Sequence, residues 1–214
     1  MAGSLVFTDR ADAGRRLAAA LRDRHTVGPD ALVCGIPRGG VVVAAEVARE
    51  LQLPLRAAIA RKVGAPGHAE LAIGAVGPDG IAVLDEDLVR RTGATPRWLE
   101  QAVAAALEEV AARVAALPNV VTRTEVEGRE VVVVDDGVAT GSTAAAVGLW
   151  LEHAHAARRV LALPVGPPDT LAKLADNYEE IIALAEPRGF IAVGQWYRDF
   201  RQTTDDEVMR LLSA

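Results

Sequence analysis

Two adjacent acids and the small residues that follow them carry the most chemistry in this chain. Asp135 and Asp136 come directly after four consecutive valines, Val131 to Val134, and directly before Gly137, Val138, Ala139, Thr140, Gly141, Ser142 and Thr143. Two neighbouring carboxylates repel a phosphate. They suit sugar hydroxyls and a hydrated Mg²⁺, which takes hard oxygen ligands and keeps several of its waters. The small residues suit an anion. A loop of Gly, Ala, Thr and Ser that opens a helix offers backbone N–H groups, hydroxyls and the positive end of a helix dipole. Acids and loop together read as a site for a ribose 5-phosphate.

Another anion cradle, the first in chain order, lies upstream, in Cys34-Gly-Ile-Pro-Arg-Gly-Gly40. Gly39 and Gly40 let backbone approach a ligand closely. Arg38 adds a planar donor fork suited to phosphate oxygens. A basic pair, Arg61 and Lys62, follows the next apolar run.

The elements that must hold these groups follow from pattern. Four valines between Gly128 and Gly137 read as a strand buried on both faces, the parallel-sheet type. Ala31 to Ile36 reads as a first core strand, Val41 to Leu51 as a helix, and Leu55 to Ala60 as a second strand, which makes a βαβ unit. After the acids, Thr143 to His155 reads as helix, Arg159 to Leu163 as strand, Asp169 to Asp176 as a short capped helix, and Ile181 to Ala185 as strand. In an open sheet of this kind, ligands bind beyond the carboxyl ends of the strands. Both cradles therefore belong on one edge. Outside that rhythm, Thr8 is expected to cap a helix running to about His25. Leu71 to Val76 and Ile81 to Leu84 form a hairpin, and Thr95 with Pro96 starts a long helix to about Leu117. Thr204 with Glu207 makes a capping box for the last helix.

The stretch VVVVDDGVATGST resembles the PRPP-binding motif of type I phosphoribosyltransferases: a hydrophobic strand, two acids, a few small residues, then Thr-Gly-x-Thr. The resemblance covers Ala31 to Lys62 and Val121 to about Val165. It implies an α/β fold with a Rossmann-like parallel core sheet flanked by helices, in one domain spanning 1–214. The core is 28–62 and 120–185, an inserted lid and hairpin-helix region is 63–119, and a C-terminal hood is 186–214. It also implies roles. Asp135 and Asp136 hold the ribose hydroxyls and, through water, Mg²⁺. Val138, Ala139, Thr140, Gly141, Ser142 and Thr143 bind the 5-phosphate. Pro37, Arg38, Gly39 and Gly40 form the pyrophosphate loop, with a non-proline cis bond at Pro37–Arg38, and Arg61 and Lys62 assist. Arg38 stabilises the leaving diphosphate. Gly64 to Glu70 is the expected flexible lid, with Glu70 or His68 exchanging a proton with the acceptor.

The segment Phe190-Ile-Ala-Val-Gly-Gln-Trp-Tyr-Arg-Asp199 is similar to the aromatic-Val-Val-Gly-Tyr-x-x-Asp segment of hypoxanthine-guanine phosphoribosyltransferases. By that likeness Phe190 stacks on the base and, with Ile191, lines a base site, with Trp196 or Tyr197 lining the hood. Three departures set the chain apart from those purine enzymes. Ala139 stands where they carry an acid. Val165-Gly166-Pro167 stands where they carry a lysine. The spacing from Gly194 to Asp199 is one residue longer. A nucleobase, purine by preference, or an amine is the expected acceptor, and a homodimer the expected assembly.

Composition narrows the alternatives. Half of the 214 residues are hydrophobic and 24% are charged, a globular balance. The net charge of −6 argues against a large nucleic-acid or membrane-surface footprint. Cys34 is the only cysteine, which excludes an intrachain disulfide and a cysteine-based zinc site. With no signal-peptide pattern and no long apolar run, a cytoplasmic protein is expected. G-x-G-x-x-G after a strand, the P-loop pattern and G-x-S-x-G are all absent, which disfavours dinucleotide binders, P-loop proteins and α/β-hydrolases. A non-enzymatic PRPP sensor of the same fold is the alternative to an enzyme.

Overall fold

Alternation along the four valines sets the layers. Val131 and Val133 pack into one buried cluster with Leu32, Cys34, Leu161 and Leu163, while Val132 and Val134 pack into another with Val33, Val160, Ala162 and Ile182. Strand side chains alternate faces, so a run apolar at every position must be covered on both sides. The computed structural model, which describes residues 6–24 and 27–214, shows that it is.

The central sheet contains β1 (Leu32–Gly35), β2 (Leu55–Ala57), β6 (Glu130–Val134), β7 (Arg158–Val165) and β8 (Glu180–Ala185), all parallel, in the order β2-β1-β6-β7-β8. One face is covered by α1 (Arg10–Asp23) and α2 (Gly39–Leu51), through Leu17, Leu21, Val43 and Val47. The other is covered by α6 (Ser142–His153) and α7 (Pro168–Leu174), through Val147, Trp150, Leu151 and Leu171. The chain winds outward from β1 in one direction and from β6 in the other. The crevice between their carboxyl ends is thus the topological switch point, where open α/β sheets bind ligands.

A second sheet, antiparallel, is built from β3 (Arg61–Ala65), β4 (His68–Val76) and β5 (Ala82–Leu84). It packs on α4 (Pro96–Ala116) through Ile59, Val63, Ile73, Val76, Ala106 and Val110. Thr95 caps α4, its Oγ1 accepting from the Trp98 N–H, and Pro96 follows, as the sequence predicts. The remaining elements are α3 (Glu86–Thr92), α5 (Arg123–Val126), a 3₁₀ turn (Val193–Trp196) and α8 (Asp205–Leu212). Thr204 caps α8 by accepting from the Glu207 N–H.

Several boundaries differ from the sequence reading. Asp9, not Thr8, caps α1 and accepts from the Asp12 N–H; the predicted end at His25 lies outside the described residues. Asp169 sits inside the first turn of α7, after Pro167. The second core strand ends at Ala57, whose backbone pairs with Asn119 and Val121. Arg61 and Lys62 therefore open a strand of the other sheet instead of closing the core strand. The expected lid segment is the β3–β4 hairpin: Ala65 pairs with His68, and Gly67 turns at φ +71°. The short apolar run Phe190 to Val193 forms no strand, and Val193 opens the 3₁₀ turn.

Candidate functional site at the switch point

The two cradles meet at the switch point. Ile36 N–H donates to the Val134 carbonyl at 2.9 Å, which extends the β1–β6 pairing past the strand ends. The first cradle then turns through a cis Pro37–Arg38 bond, the bond expected from the resemblance. Arg38 is the N-cap of α2 and lies 3.7 Å from Asp205 through Nη1. Gly39 and Gly40 follow. A Cβ on Gly39 would lie 1.9 Å from Asp136 Oδ2, and one on Gly40 would lie 2.7 Å from the Val134 carbonyl and 2.8 Å from Asp135 Cα. Only glycine allows this approach. The first cradle is thereby pressed against the acids.

Asp135 and Asp136 are half-buried at the carboxyl end of β6. Asp135 Oδ1 accepts from the Asp136 N–H at 2.8 Å. Burial, and the neighbouring Asp136 charge, hold the Asp135 carboxyl well above the usual range. Burial also raises Asp136, partly offset by Arg10, whose Nε donates to Asp136 Oδ2 at 2.7 Å. Desolvation and like-charge repulsion both disfavour a carboxylate. A pair held this way gains from an incoming hydroxyl donor or cation.

Beyond the acids the chain makes a loop. Val138 N–H donates to the Val165 carbonyl at 3.0 Å, and Thr170 Oγ1 donates to the Ala139 carbonyl at 2.8 Å, so β7 and α7 hold the loop from behind. Gly141, at φ +72°, is the N-cap of α6 and packs against Leu174 and Thr170, which leaves no room for a side chain. Thr140 Oγ1 and Ser142 Oγ are 3.0 Å apart. Ala139, Thr140 and Thr143 are exposed. Exposed hydroxyls and small residues at the start of a twelve-residue helix are chemistry of the kind that suits an anion.

The basic pair divides. Lys62 Nζ donates to Ser142 Oγ at 3.0 Å, which places it beside the second cradle. Arg61 pairs with Glu109 of α4 at 2.9 Å. Glu109 and Arg61 line a hollow of about 130 Å³ with Ile36, Pro37 and Thr143, directly between the cradles. Sequence reasoning missed Glu109; one acid on a long helix carries no local signal of where its helix docks.

The hood residues do not gather at one point. Trp196 packs with Phe7, Ala13 and Tyr197 in a small terminal cluster. Phe190 is half-buried, and Ile191 is 87% exposed. Tyr197, by contrast, reaches the site: its Oη donates to the Asp136 carbonyl at 2.6 Å. His68 is exposed on the hairpin tip; the Glu70 side chain lies outside the described residues.

The donor set fits Mg²⁺ of the hydrated kind. Two carboxylates stand together, and among the described residues no third His, Cys, Asp or Glu joins them in a metal-sized cluster. Asp135 and Asp136 would hold such a Mg²⁺ through its water shell, the ion supplying positive charge beside a phosphorylated ligand.

Comparison with known proteins agrees with this architecture. The family described as phosphoribosyl transferase domain matches residues 7–182. Two Mycobacterium tuberculosis proteins, from strains CDC 1551 / Oshkosh and ATCC 25618 / H37Rv, carry the names "Putative phosphoribosyl transferase MT0597" and "Putative phosphoribosyl transferase Rv0571c". Each is 45% identical over 208 residues, covering 97% of this chain and 46% of its own length. The chain thus spans about half the length of these curated relatives. The crystal structure of TT1426 from Thermus thermophilus is 39% identical, covers 97% of both chains and superposes with a TM-score of 0.86. With a family match over most of its length, and with both cradles converging where that fold binds ligands, the chain belongs to the phosphoribosyl transferase domain family.

Proposed function

We propose that this protein transfers the 5-phosphoribosyl group from PRPP to a nucleobase or amine, with release of pyrophosphate and dependence on Mg²⁺. The observation that carries the reading is the contact of the first cradle with the acid pair that opens the second, Gly39 lying against Asp136 Oδ2. A diphosphate on one side and a 5-phosphate on the other can be spanned by one ribose only if the two loops share a wall. Ala139 to Thr143 anchor the 5-phosphate. Asp135 and Asp136 hold the ribose hydroxyls. Pro37 to Gly40 receive the leaving diphosphate, with Arg38 as its cation. Lys62, beside Ser142, is assigned to the 5-phosphate side. When bound, Mg²⁺ neutralises charge on the departing diphosphate. Catalysis then rests on positioning and on charge stabilisation.

The acceptor is a ring compound or amine, with a purine preferred from the likeness of the Phe190–Asp199 segment. Phe190 and Ile191 are its assigned hood contacts. Trp196 supports the hood from the terminal cluster, and Glu70 is assigned the proton exchange. A cytoplasmic homodimer completes the proposal. Among the described residues no helix is long and apolar enough to cross a membrane.

Asp136→Asn tests the reading. The variant keeps the fold, because the amide is isosteric, but should abolish PRPP-dependent pyrophosphate release. An unchanged rate in a coupled pyrophosphate assay, run with a panel of bases and amines, sinks the assignment.

A further inference from the structure

The acid Asp136 is tied from two sides by segments remote in the chain. Arg10, at the start of α1, gives its Nε to Asp136 Oδ2 at 2.7 Å and its Nη1 to the Arg201 carbonyl at 2.8 Å. The Arg10 guanidinium also lies 3.9 Å from the centroid of the Phe200 ring. It is 12% exposed, so little water competes for it. Tyr197 holds the backbone of the same residue, its Oη donating to the Asp136 carbonyl at 2.6 Å. Tyr197 in turn packs between Phe7 and Phe200, at 5.3 and 5.0 Å between centroids. The terminal segments are joined by backbone as well: Phe7 N–H donates to the Trp196 carbonyl, and Arg198 N–H to the Phe7 carbonyl.

We propose that Arg10 and Tyr197 are positioning residues for Asp136, one fixing its carboxylate and the other its carbonyl, so that one carboxylate oxygen stays turned to the ligand. The proposal rests on the ribose-phosphate reading of the site. Its physical basis is the fork of arginine. Nε holds Asp136 Oδ2 and a second nitrogen holds the Arg201 carbonyl, so the carboxylate cannot rotate without breaking a charged hydrogen bond. The Phe200 face beneath the guanidinium restricts its remaining freedom. Gly39 completes the pocket, since a Cβ there would meet both Asp136 Oδ2 and Arg10 Nε. A group fixed before the ligand arrives loses less freedom on binding. The two chain ends thus act together as a brace for a residue at the middle of the sheet.

Calorimetric titration of PRPP with Mg²⁺ into the wild-type chain, Arg10→Gln, Arg10→Lys and Tyr197→Phe tests this, alongside thermal unfolding of each. Loss of a charged hydrogen bond predicts that Arg10→Gln weakens PRPP binding by about tenfold or more. Arg10→Lys should recover part of that loss, because the charge returns without the fork. Tyr197→Phe should weaken binding by several-fold and remove no packing. In steady-state assays the same variants should raise KM for PRPP more than they lower kcat. Equal PRPP affinity in the folded wild-type, Arg10→Gln and Tyr197→Phe proteins, whatever their melting temperatures, overturns the positioning role. A wild-type chain that takes up no PRPP overturns the ribose-phosphate reading and this role with it. Should Arg10→Gln fail to fold, Tyr197→Phe, which deletes one oxygen, decides the outcome.

Discussion

At the scale of single residues, the site is set by what cannot be added to it. Gly39 has no room for a methyl group, which would stand 1.9 Å from Asp136 Oδ2. Gly39→Ala should push the first cradle off the acids. Overpacking of this kind costs about 1–3 kcal/mol of stability, and PRPP affinity should fall by about tenfold or more as the shared wall opens, a shift of ~1.4 kcal/mol. Parallel denaturation and calorimetry check both. An alanine variant that binds as tightly as wild type would show that the two loops need not touch. The acids themselves were legible in the sequence, because strand, acids, loop and helix follow in a short ordered run. Their neighbour Arg10 was not: it stands 126 positions from Asp136, and one arginine at a helix start has no pattern that names its partner.

At the scale of elements, a buried tryptophan ties the inserted sheet to the core. Trp150 of α6 is 1% exposed, and its Nε1 donates to Asp79 Oδ1 at 3.2 Å, across the β4–β5 turn. Gly77 packs directly on the indole, leaving no space for a Cβ. Trp150→Ala should cost about 3–5 kcal/mol, the usual loss on truncating a buried aromatic. The damage should be concentrated in β4, β5 and α4, read as faster hydrogen exchange there than in the central sheet. A uniform loss of protection would mean that the two sheets do not open separately. The hairpin, the cap at Thr95 and the length of α4 were all legible, since each depends on local turn, cap and periodicity signals. The strand pairing within the expected lid was not legible. Gly64 to Glu70 reads as a loop because it is rich in Gly and Pro, yet β3 and β4 pair through it, and that pairing depends on what α4 covers.

At the scale of the whole molecule, charge pairs between elements should contribute to the acid limit of stability. Hydrogen bonds from Arg159, despite burial, hold the Glu179 carboxyl below the ordinary glutamate value of 4.5. Glu125 also ends below 4.5: burial pushes it up, but Arg56 and Thr122 together bring it down further. A depressed carboxyl adds stability that is complete above the ordinary value and lost as pH falls through the lower folded value. Stability should therefore decline as pH drops below about 4.5, and Glu179→Gln should flatten that decline. Urea unfolding at neutral pH and at about pH 4 measures it; a variant with the wild-type slope would place the acid sensitivity elsewhere. Local pattern was sufficient for the strands of the central sheet, apart from the end of β2, for the acids that follow β6 and for the small-residue loop after them, because each rests on neighbours a few positions away. Tertiary structure alone decided that Lys62 reaches Ser142, 80 positions off, that Tyr197 holds Asp136, and that the Pro37–Gly40 turn abuts the acid pair. Such contacts depend on which strand lies next to which and on how the terminal segments close over the sheet. Packing of the whole chain settles that, and no run of a dozen residues contains it.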